Sequence, residues 1–373
     1  MITEFNPDLK PFEELAISFA AKELKKNVEE HDRYPFGEFF NGVLDKAYEV
    51  GLLGITLPED FGGIGQGIST LCTVLDNICQ VDSSLGGIIF TNALCQEIML
   101  QSKEESLLKK VFSNSKSASE FLVAFPTFSS PGQTAILPSA TRAGKVYSLS
   151  GKLEYLVLGT IASMALIPAR LGNTDGYTFF LVDLSDKGVK KSDPIFSLGL
   201  HACPAVDVTF DKAQAFLLGE EGKGNAYFEV ASKKLHVAAA AMSAGIMKGS
   251  FNEALAYAKE RFQGGREIIN WSETKMILAN MAVKTKVADL CVAQGCRAIE
   301  EGIKDWGQFS TASALHVHEL SCELVNDGVQ LLGGNGYMKD YGQEKRYRDA
   351  RQVQALLGSA PLKKLALMKE ISA

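Results

Sequence analysis

The hydrophobic pattern changes twice along the chain, and this change restricts the possible folds more than any other feature. Apolar residues recur every three or four positions from about residue 10 to 115 and again beyond Gly224, which indicates amphipathic helices. Between Phe121 and Leu218, short apolar runs are separated by Gly, Pro, Asn and Asp, a pattern typical of β-strands. Because strands and helices do not alternate, a Rossmann-type sheet is excluded and an α+β fold is predicted.

The pattern predicts three units of different structure. We expect an N-terminal helical domain at residues 1–118, a middle β-domain at 119–224 and a C-terminal four-helix bundle at 225–373. Within the first unit, the loop LPEDFGGIGQG (57–67) ends one helical pattern, and a new helix is expected from Ser69. The last unit has room for four long helices. One of them carries an apolar stripe formed by Met276, Ala279, Val283, Val287 and Leu290.

Charge and cysteine content exclude several classes of protein. The 44 acidic residues outnumber the 38 basic ones, and the net charge of −6 argues against a nucleic-acid partner. Seven cysteines without a CxxC pair or a histidine at zinc spacing indicate reduced thiols in a cytoplasmic protein, and no metal site. The acidic N-terminus is unlike an export signal, and the most apolar stretch (235–247) is shorter than the ~20 residues that span a membrane. We therefore expect neither export nor a membrane span.

One long motif near the C-terminus identifies a family. Taken alone, LLGGNGYMKDYGQEKRYRDAR (331–351) is the end of a helix, a glycine turn and the start of a charged helix. As a whole it resembles the acyl-CoA dehydrogenase signature. The residues in register are Gln330, Gly333, Gly334, Gly336, Tyr337, Arg348, Asp349 and Ala350. The resemblance continues at VGLLGITLPEDFGG (50–63), LLGEEGKG (217–224) and KERFQGG (259–265), so it covers all three predicted units.

The resemblance implies an FAD site shared between two subunits. In this family the adenosine half of FAD is held across a dimer interface, so a dimer or a homo- or heterotetramer of homologous subunits is expected. Arg261 matches the arginine that meets the pyrophosphate, and Gln263 matches the polar residue beside it. From the other subunit, Gln330 and the Gly333–Gly334 turn match the backbone that approaches the same dinucleotide. Gly264 departs from the family, which usually has Phe there.

The elements that match the flavin-ring contacts are less complete. The family's T-E-P-G-A-G-S-D loop is AFPTFSSP (124–131) here, with only Pro126 and Ser130 in common. The family's W-I-T segment is Tyr155-Leu156-Val157, and Val157 cannot donate a hydrogen bond to the ring as the threonine does. By position, Ser130, Tyr155 and Val157 are the expected ring contacts. The expected substrate contacts are Ser130, His236, Leu357 and Gly358.

The largest departure from the family is at the catalytic base. Removal of an α-proton beside a thioester requires a carboxylate within hydrogen-bond reach of the carbon. Counting from the R-D-A motif places Leu357 at the usual glutamate position, and Leu235 occupies the alternative position used by some relatives. His236, beside that second position, is either a replacement base, a substrate contact or, as a single His among alanines, an ordinary core residue.

Four acids remain near the expected cleft. Asp82 fits a helix N-cap better than a base, and Glu344 and Asp340 belong to the charged segment after the glycine turn. Glu154 is unusual beside Tyr155, although strand alternation predicts that the two side chains point to opposite faces. Asp82 and Glu154 are thus the alternative candidates for the base.

Three functions are consistent with these residues. The preferred one is a flavoprotein oxidoreductase that acts on the CH–CH bond of an acyl-CoA as the subunit without a base in a hetero-oligomer. The second is a self-sufficient flavoenzyme with altered chemistry, reducing or decarboxylating an unusual acyl-CoA. The third is a flavin-free scaffold or acyl-CoA sensor. For an active flavoenzyme, the family resemblance also implies an electron-transferring flavoprotein as partner.

Overall fold

In the computed structural model, which describes residues 6–34, 40–134, 136–144, 146–172 and 174–372, the N-terminal third is helical. The helices are α1 (Lys10–Phe19), α2 (Val28–His31), α3 (Asn41–Glu49), α4 (Ile68–Cys79), α5 (Ser83–Ser102), α6 (Glu105–Leu108) and α7 (Ala118–Phe121). The break at 57–67 precedes α4, close to the predicted start at Ser69. Every residue of α4 is buried, because the helix packs on α5, α1 and two later helices.

The middle of the chain forms a closed β-barrel. Its strands are β1 (Val123–Ala124), β2 (Ser139–Ala143), β3 (Val146–Val157), β4 (Met164–Leu171), β5 (Thr178–Asp183), β6 (Val189–Lys191) and β7 (Ala205–Leu218). The pairings β4–β2–β3–β7–β5 return to β4 and close the ring, while β1 adds to β4 and β6 to β7. Closure leaves the five barrel strands without a free edge. The predicted α+β architecture is confirmed.

The C-terminal region differs from the predicted four long helices. It has three long helices, α8 (Gly224–Glu260), α9 (Ser272–Glu300) and α10 (Trp306–Leu332), and two shorter ones, α11 (Gln343–Val353) and α12 (Ala360–Ile371). A short hairpin, β8 (Phe262–Gln263) and β9 (Arg266–Glu267), connects α8 to α9. The predicted glycine turn at 333–337 follows α10, and a second turn at 354–358 separates α11 from α12.

Helix α8 is the centre of the molecule. Its residues 235–250 are all buried, since α4 and α5 pack on one side and α9 and α10 on the other. The run Ala238–Ala241 has small side chains that allow this close approach. Helix α9, in contrast, directs its predicted stripe outwards: Met276, Val283 and Leu290 are 67%, 62% and 56% exposed. The stripe is therefore a surface of the single chain.

Two further features concern the helices and the cysteines of the described residues. No helix in the described part of the chain is both long and apolar enough to cross a membrane. All seven cysteines are free, and among the described residues no group of His, Cys, Asp and Glu side chains is arranged to hold a metal ion.

Candidate active site

Helix α11, which carries the R-D-A motif, is held by a network of ion pairs between the N-terminal helices and the barrel. Arg348 donates to the Asp32 carboxylate (Nη2–Oδ2 2.6 Å) and to Glu344 (Nε–Oε2 2.7 Å). His201 lies on the other side of Asp32, with Nδ1 2.7 Å from the Asp32 carbonyl oxygen and Nε2 2.9 Å from the Ser197 carbonyl oxygen. Because both ring nitrogens face acceptors, the arrangement favours the imidazolium form.

The contacts of Asp32 and His201 determine the direction in which each pKa is shifted. Burial by itself raises the pKa of Asp32, but the hydrogen bonds from His201 and Arg348 outweigh it and lower that pKa to about 2. Burial lowers the pKa of His201, and the bonds to Asp32 reverse the direction and raise it. These hydrogen bonds fix the loop before β7 to the N-terminal helices.

A second ion network lies beside the first on α11 and uses the residues that follow Glu344 and Arg348. Lys345 donates to Asp349 (2.6 Å) and to Asp82 (3.2 Å), and all three side chains are buried. Asp82 also accepts from the Ser84 amide as the N-cap of α5, and Asp349 accepts from the Leu200 amide. Although burial opposes ionisation, Lys345 and His31 keep the pKa of Asp82 well below its usual value. A carboxylate held in this way is a structural residue, and Asp82 is not placed to act as a base.

Gln352 connects helix α11 to the barrel by two hydrogen bonds. Its Oε1 accepts from the Gly199 amide (2.9 Å), and its Nε2 donates to the hydroxyl of Tyr155 (2.9 Å). The first bond fixes the orientation of the amide group, so the second can only be a donation to the phenol oxygen. Burial raises the pKa of Tyr155, and hydrogen bonds with Ser197 and Gln352 offset part of that effect.

Tyr155 lies on a β-bulge that the sequence does not reveal. Pairing of β3 with β7 shifts between Leu153 and Leu156, and Tyr155 adopts a φ of +56°. Its amide donates to the Asp207 carboxylate at 3.0 Å instead of to a strand carbonyl. Glu154 and Tyr155, beside this bulge, both contribute to the lining of one cavity.

The cavity beside Tyr155 has a volume of about 530 Å³ and lies between the barrel and the end of α11. Aromatic and aliphatic side chains form most of its wall, with Phe128 packed edge-on against Tyr155 at 5.5 Å between ring centroids. Polar groups come from Ser129, Lys152, Glu154 and Gln352. The lining is Pro126, Phe128, Ser129, Thr134, Ile136, Lys152, Leu153, Glu154, Tyr155, Gln352 and Ala355.

The positions predicted to hold the reacting groups are packed with hydrocarbon. Leu357 and Leu235 are only 4% and 2% exposed, and neither lines the cavity. Leu357 has a φ of +62°, and its amide donates to the Thr127 carbonyl at 2.8 Å. Gly358 follows with a φ of +103° and approaches Ser130. These contacts attach the turn after α11 to the loop 124–131.

His236 and Val157 are both core residues. The Nδ1 of His236 is 3.0 Å from the Thr311 hydroxyl, between α8 and α10. Burial lowers the pKa of His236 to about 3, so the ring is neutral and is not in the cavity lining. Val157 is fully buried, and its amide and carbonyl both bond to Phe125.

The residues predicted to meet the adenosine half of FAD lie at one end of the helical region and are exposed. Arg261 ends α8, and Gln263 is in the β8–β9 hairpin. Gln330 is in the last turn of α10, and Gly333 ends that helix with φ +58° and ψ −131°, a conformation open to glycine alone. The side-chain amide of Asn335 donates from Nδ2 to the Tyr257 hydroxyl at 3.0 Å and connects these two helix ends.

Sequence reasoning missed several residues of these networks. Lys345 and Asp349 are four residues apart on a helix, a spacing that predicts an ion pair. His201 and Gln352 had no local signal, because their partners are 169 and 153 residues away in the chain. Lys363 on α12 is also buried, and its ammonium donates to the Gln354 carbonyl at 3.3 Å.

Comparison with known proteins gives consistent matches along the chain. Residues 222–371 match the model of the acyl-CoA dehydrogenase C-terminal domain, and residues 6–111 match that of the acyl-CoA dehydrogenase N-terminal domain. The 3-(aryl)acrylate reductase of Clostridium sporogenes is 28% identical over 96% of both chains. CarC, a subunit of the caffeyl-CoA reductase–Etf complex of Acetobacterium woodii, is 26% identical over 97% of this chain and 98% of its own.

A solved structure extends the comparison to the fold. The butyryl-CoA dehydrogenase of Megasphaera elsdenii superposes with a TM-score of 0.88 over 98% of both chains, at 21% identity. At 21% identity the superposition supports a shared fold and nothing more. The helical, barrel and helical order described above is the same fold.

Proposed function

The chain belongs to the acyl-CoA dehydrogenase family of FAD-dependent oxidoreductases, and on that premise we propose that it is the subunit without a catalytic base in a hetero-oligomer. The complex acts on the CH–CH bond beside an acyl-CoA thioester. The relatives support this substrate class, because they are named as reductases or dehydrogenases of CoA thioesters and of arylacrylates. The Etf complex named for one relative supports an electron-transferring flavoprotein as redox partner.

The observation that carries the proposal is the packing of both base positions. Leu357 and Leu235 are buried hydrocarbon, and neither accepts a proton. His236 is neutral and forms a hydrogen bond with Thr311 between α8 and α10, and the Asp82 carboxylate is already paired with Lys345. None of these four positions accepts the α-proton, and in the proposed complex it goes to a carboxylate on another chain. A homologous subunit that retains the glutamate supplies it.

This chain contributes the adenosine side of the cofactor site. FAD, when bound, supplies the hydride acceptor for the reaction. Arg261 presents a planar, permanently charged donor suited to the pyrophosphate, and Gln263 adds a neighbouring polar group. Gln330, Gly333 and Gly334 present a backbone that a dinucleotide can approach closely.

The fit of the chain to FAD differs between the two ends of the cofactor. The exposed charge and glycine turn fit the adenosine half, since a ligand there is covered only when a second subunit packs against it. The ring contacts do not fit: Val157 has no donor, and its main-chain groups are already bonded. No step of the reaction is therefore assigned to a ring held by this chain.

The partner surface is proposed on α9. Met276, Val283 and Leu290 form an exposed apolar row, and Phe262 in the hairpin before α9 is 63% exposed. The hairpin connects α9 to Arg261 at the end of α8, so we propose that a homologous subunit packed on this row also reaches the cofactor. The domain limits 1–118, 119–224 and 225–373 and a cytoplasmic location belong to the same proposal.

Co-expression with a glutamate-bearing paralogue from the same genome tests the proposal. We expect the two chains to co-purify, and the complex to oxidise or reduce acyl-CoA while this chain alone does neither. Arg261→Ala in this chain should lower the activity and flavin content of the complex. Arg33→Ala, which removes an exposed pair with Glu29 away from α9, is the matched control and should leave both unchanged. Failure of every such paralogue to associate contradicts the proposal.

A second function is favoured by the bulge at Tyr155. Because Glu154 lines the cavity, a self-sufficient enzyme with Glu154 as proton donor or acceptor is a candidate. In that case the chain alone turns over acyl-CoA, and Glu154→Gln removes the activity. An unchanged rate in that variant excludes this function.

A further inference from the structure

The hairpin β8–β9 between α8 and α9 presents two arginines on one face. Its loop is the pair Gly264–Gly265, with φ of +67° and +88°, as a two-residue type I′ turn requires. Gln263 and Arg266 lie directly opposite each other beside this loop. The Ile268 amide donates to the Arg261 carbonyl at 2.8 Å and continues the pairing. Because opposite residues share a face and alternate residues return to it, Arg261 and Arg266 point to the same side.

Arg266 is held in place by Trp271, the residue that precedes α9. The Cζ of its guanidinium lies 4.2 Å from the centroid of the indole, which is a cation–π contact. The indole is itself fixed, since its Nε1 donates to the Gln263 carbonyl oxygen at 3.2 Å. A Cβ at Gly264 would lie 3.0 Å from the indole Cζ2, so both the turn and the indole favour glycine there. The Arg266 side chain is therefore ordered although it is exposed.

The charges of these two arginines are not balanced within the chain. Among the described residues, neither Arg261 nor Arg266 forms a salt bridge with a carboxylate. The acid of the hairpin, Glu267, lies opposite Phe262 on the other face and accepts a hydrogen bond from Asn270 at 3.1 Å. Like charges at neighbouring positions of one face repel each other, and an anion bound between them removes that repulsion. This face of the hairpin is therefore suited to a doubly charged anion.

Building on the proposed function, we infer that Arg266 is a second cation for the diphosphate of the bound dinucleotide, and that Trp271 is the residue that positions it. Arg261 meets one phosphate group and Arg266 the other, so the two negative charges of the ligand face two guanidinium groups. A planar guanidinium stacked on an indole keeps the donors at its edge free for phosphate oxygens. The ligand class is an adenosine diphosphate group, which both FAD and CoA contain.

The nucleotide affinity of the full chain tests the role of Arg266. ADP has one phosphate more than AMP, so Arg266→Ala should weaken ADP binding about tenfold or more and AMP binding by less than about threefold. Arg266→Lys keeps the charge without the planar fork and should recover part of the affinity for ADP. Arg33→Ala, which removes an exposed arginine paired with Glu29, is the control and should change neither affinity. An equal loss for ADP and AMP, or no loss for either, overturns the inference.

The positioning role of Trp271 is tested by its dependence on Arg266. Trp271→Leu removes the ring face and should weaken ADP binding about threefold, whereas Trp271→Phe keeps a ring under the guanidinium and should bind ADP nearly as well as the wild type. In the Arg266→Ala background, Trp271→Leu should have no further effect, because the indole acts through the arginine. Additive losses in the double variant would show that Trp271 acts independently of Arg266, and would overturn the positioning role.

Competition against ADP identifies the source of the diphosphate and separates this inference from the proposed function. We expect FAD to displace ADP, CoA not to displace it, and Arg266→Ala to weaken FAD as it weakens ADP. Displacement by CoA alone keeps the role of Arg266 but contradicts the proposed cofactor site. Binding of FAD and ADP that depends on Arg261 but not on Arg266 overturns the inference and leaves that site in place. Absence of FAD, ADP and CoA binding contradicts both.

Discussion

Replacing Leu357 by glutamate restores the family's base residue and shows whether this position is open or packed. Leu357 is buried, with its amide bonded to Thr127. Removing the leucine side chain from the core loses about 1.5–3 kcal/mol. Burying a carboxyl group without hydrogen-bond partners adds about 1–3 kcal/mol. We therefore expect Leu357→Glu to destabilise the chain by about 4 kcal/mol, with no gain of activity.

Thermal unfolding measures this effect. Unfolding entropy is about 2 cal/mol/K per residue, so a 373-residue chain that unfolds as one unit loses roughly 5 °C of Tm. Leu357→Met conserves volume and apolar character and should cost less than about 1.5 kcal/mol. A Leu357→Glu protein with unchanged Tm that exchanges the α-proton of an acyl-CoA would show that the position is open, and would refute the argument from packing.

Three further substitutions test the buried charges. Asp349→Asn leaves Lys345 without its nearest partner and should cost about 3–5 kcal/mol, measured by denaturant unfolding; an effect below about 1 kcal/mol contradicts the role of this pair. His201→Asn removes a group whose pKa is raised by Asp32, so its contribution is complete below pH ~6.5 and is lost as pH rises through the raised pKa. The difference in Tm from wild type should therefore be largest near pH 6 and narrow towards pH 9, and a constant difference speaks against the pair. Lys363→Met removes an ammonium whose pKa burial lowers to about 8, so the variant should be more stable at pH 7 by up to about 3 kcal/mol, a gain that disappears as pH approaches ~10.5. A loss of stability at pH 7 would show that the bond from Lys363 to the Gln354 carbonyl outweighs the cost of burial.

Local patterns predicted the order of helices and strands. The periods of 3.6 and 2 are properties of neighbouring residues, which is why the start of α4 near Ser69 and the N-cap at Asp82 could be expected. The exposure of the stripe that begins at Met276 could not be predicted. An apolar stripe indicates burial, but it does not show whether the surface that covers it belongs to the same chain or to another.

Many contacts of the site join residues that are far apart in the sequence. Arg348 was recognised as part of a motif, but its partner Asp32 is 316 residues away. The bulge at Tyr155 was not expected, because its amide donates to the Asp207 carboxylate, 52 residues away in the chain. The identity of Leu357 was readable from the sequence, whereas the bond from its amide to the Thr127 carbonyl was not.

The central claim is that this chain takes part in acyl-CoA chemistry without a base of its own. The most direct measurement is the flavin absorbance near 450 nm after anaerobic addition of acyl-CoA to two samples, the FAD-loaded chain alone and its complex with the glutamate-bearing subunit. We predict no bleaching in the first sample and rapid bleaching in the second, which is lost when the partner's glutamate is replaced by glutamine. Bleaching of the chain alone at a catalytically competent rate would contradict the account.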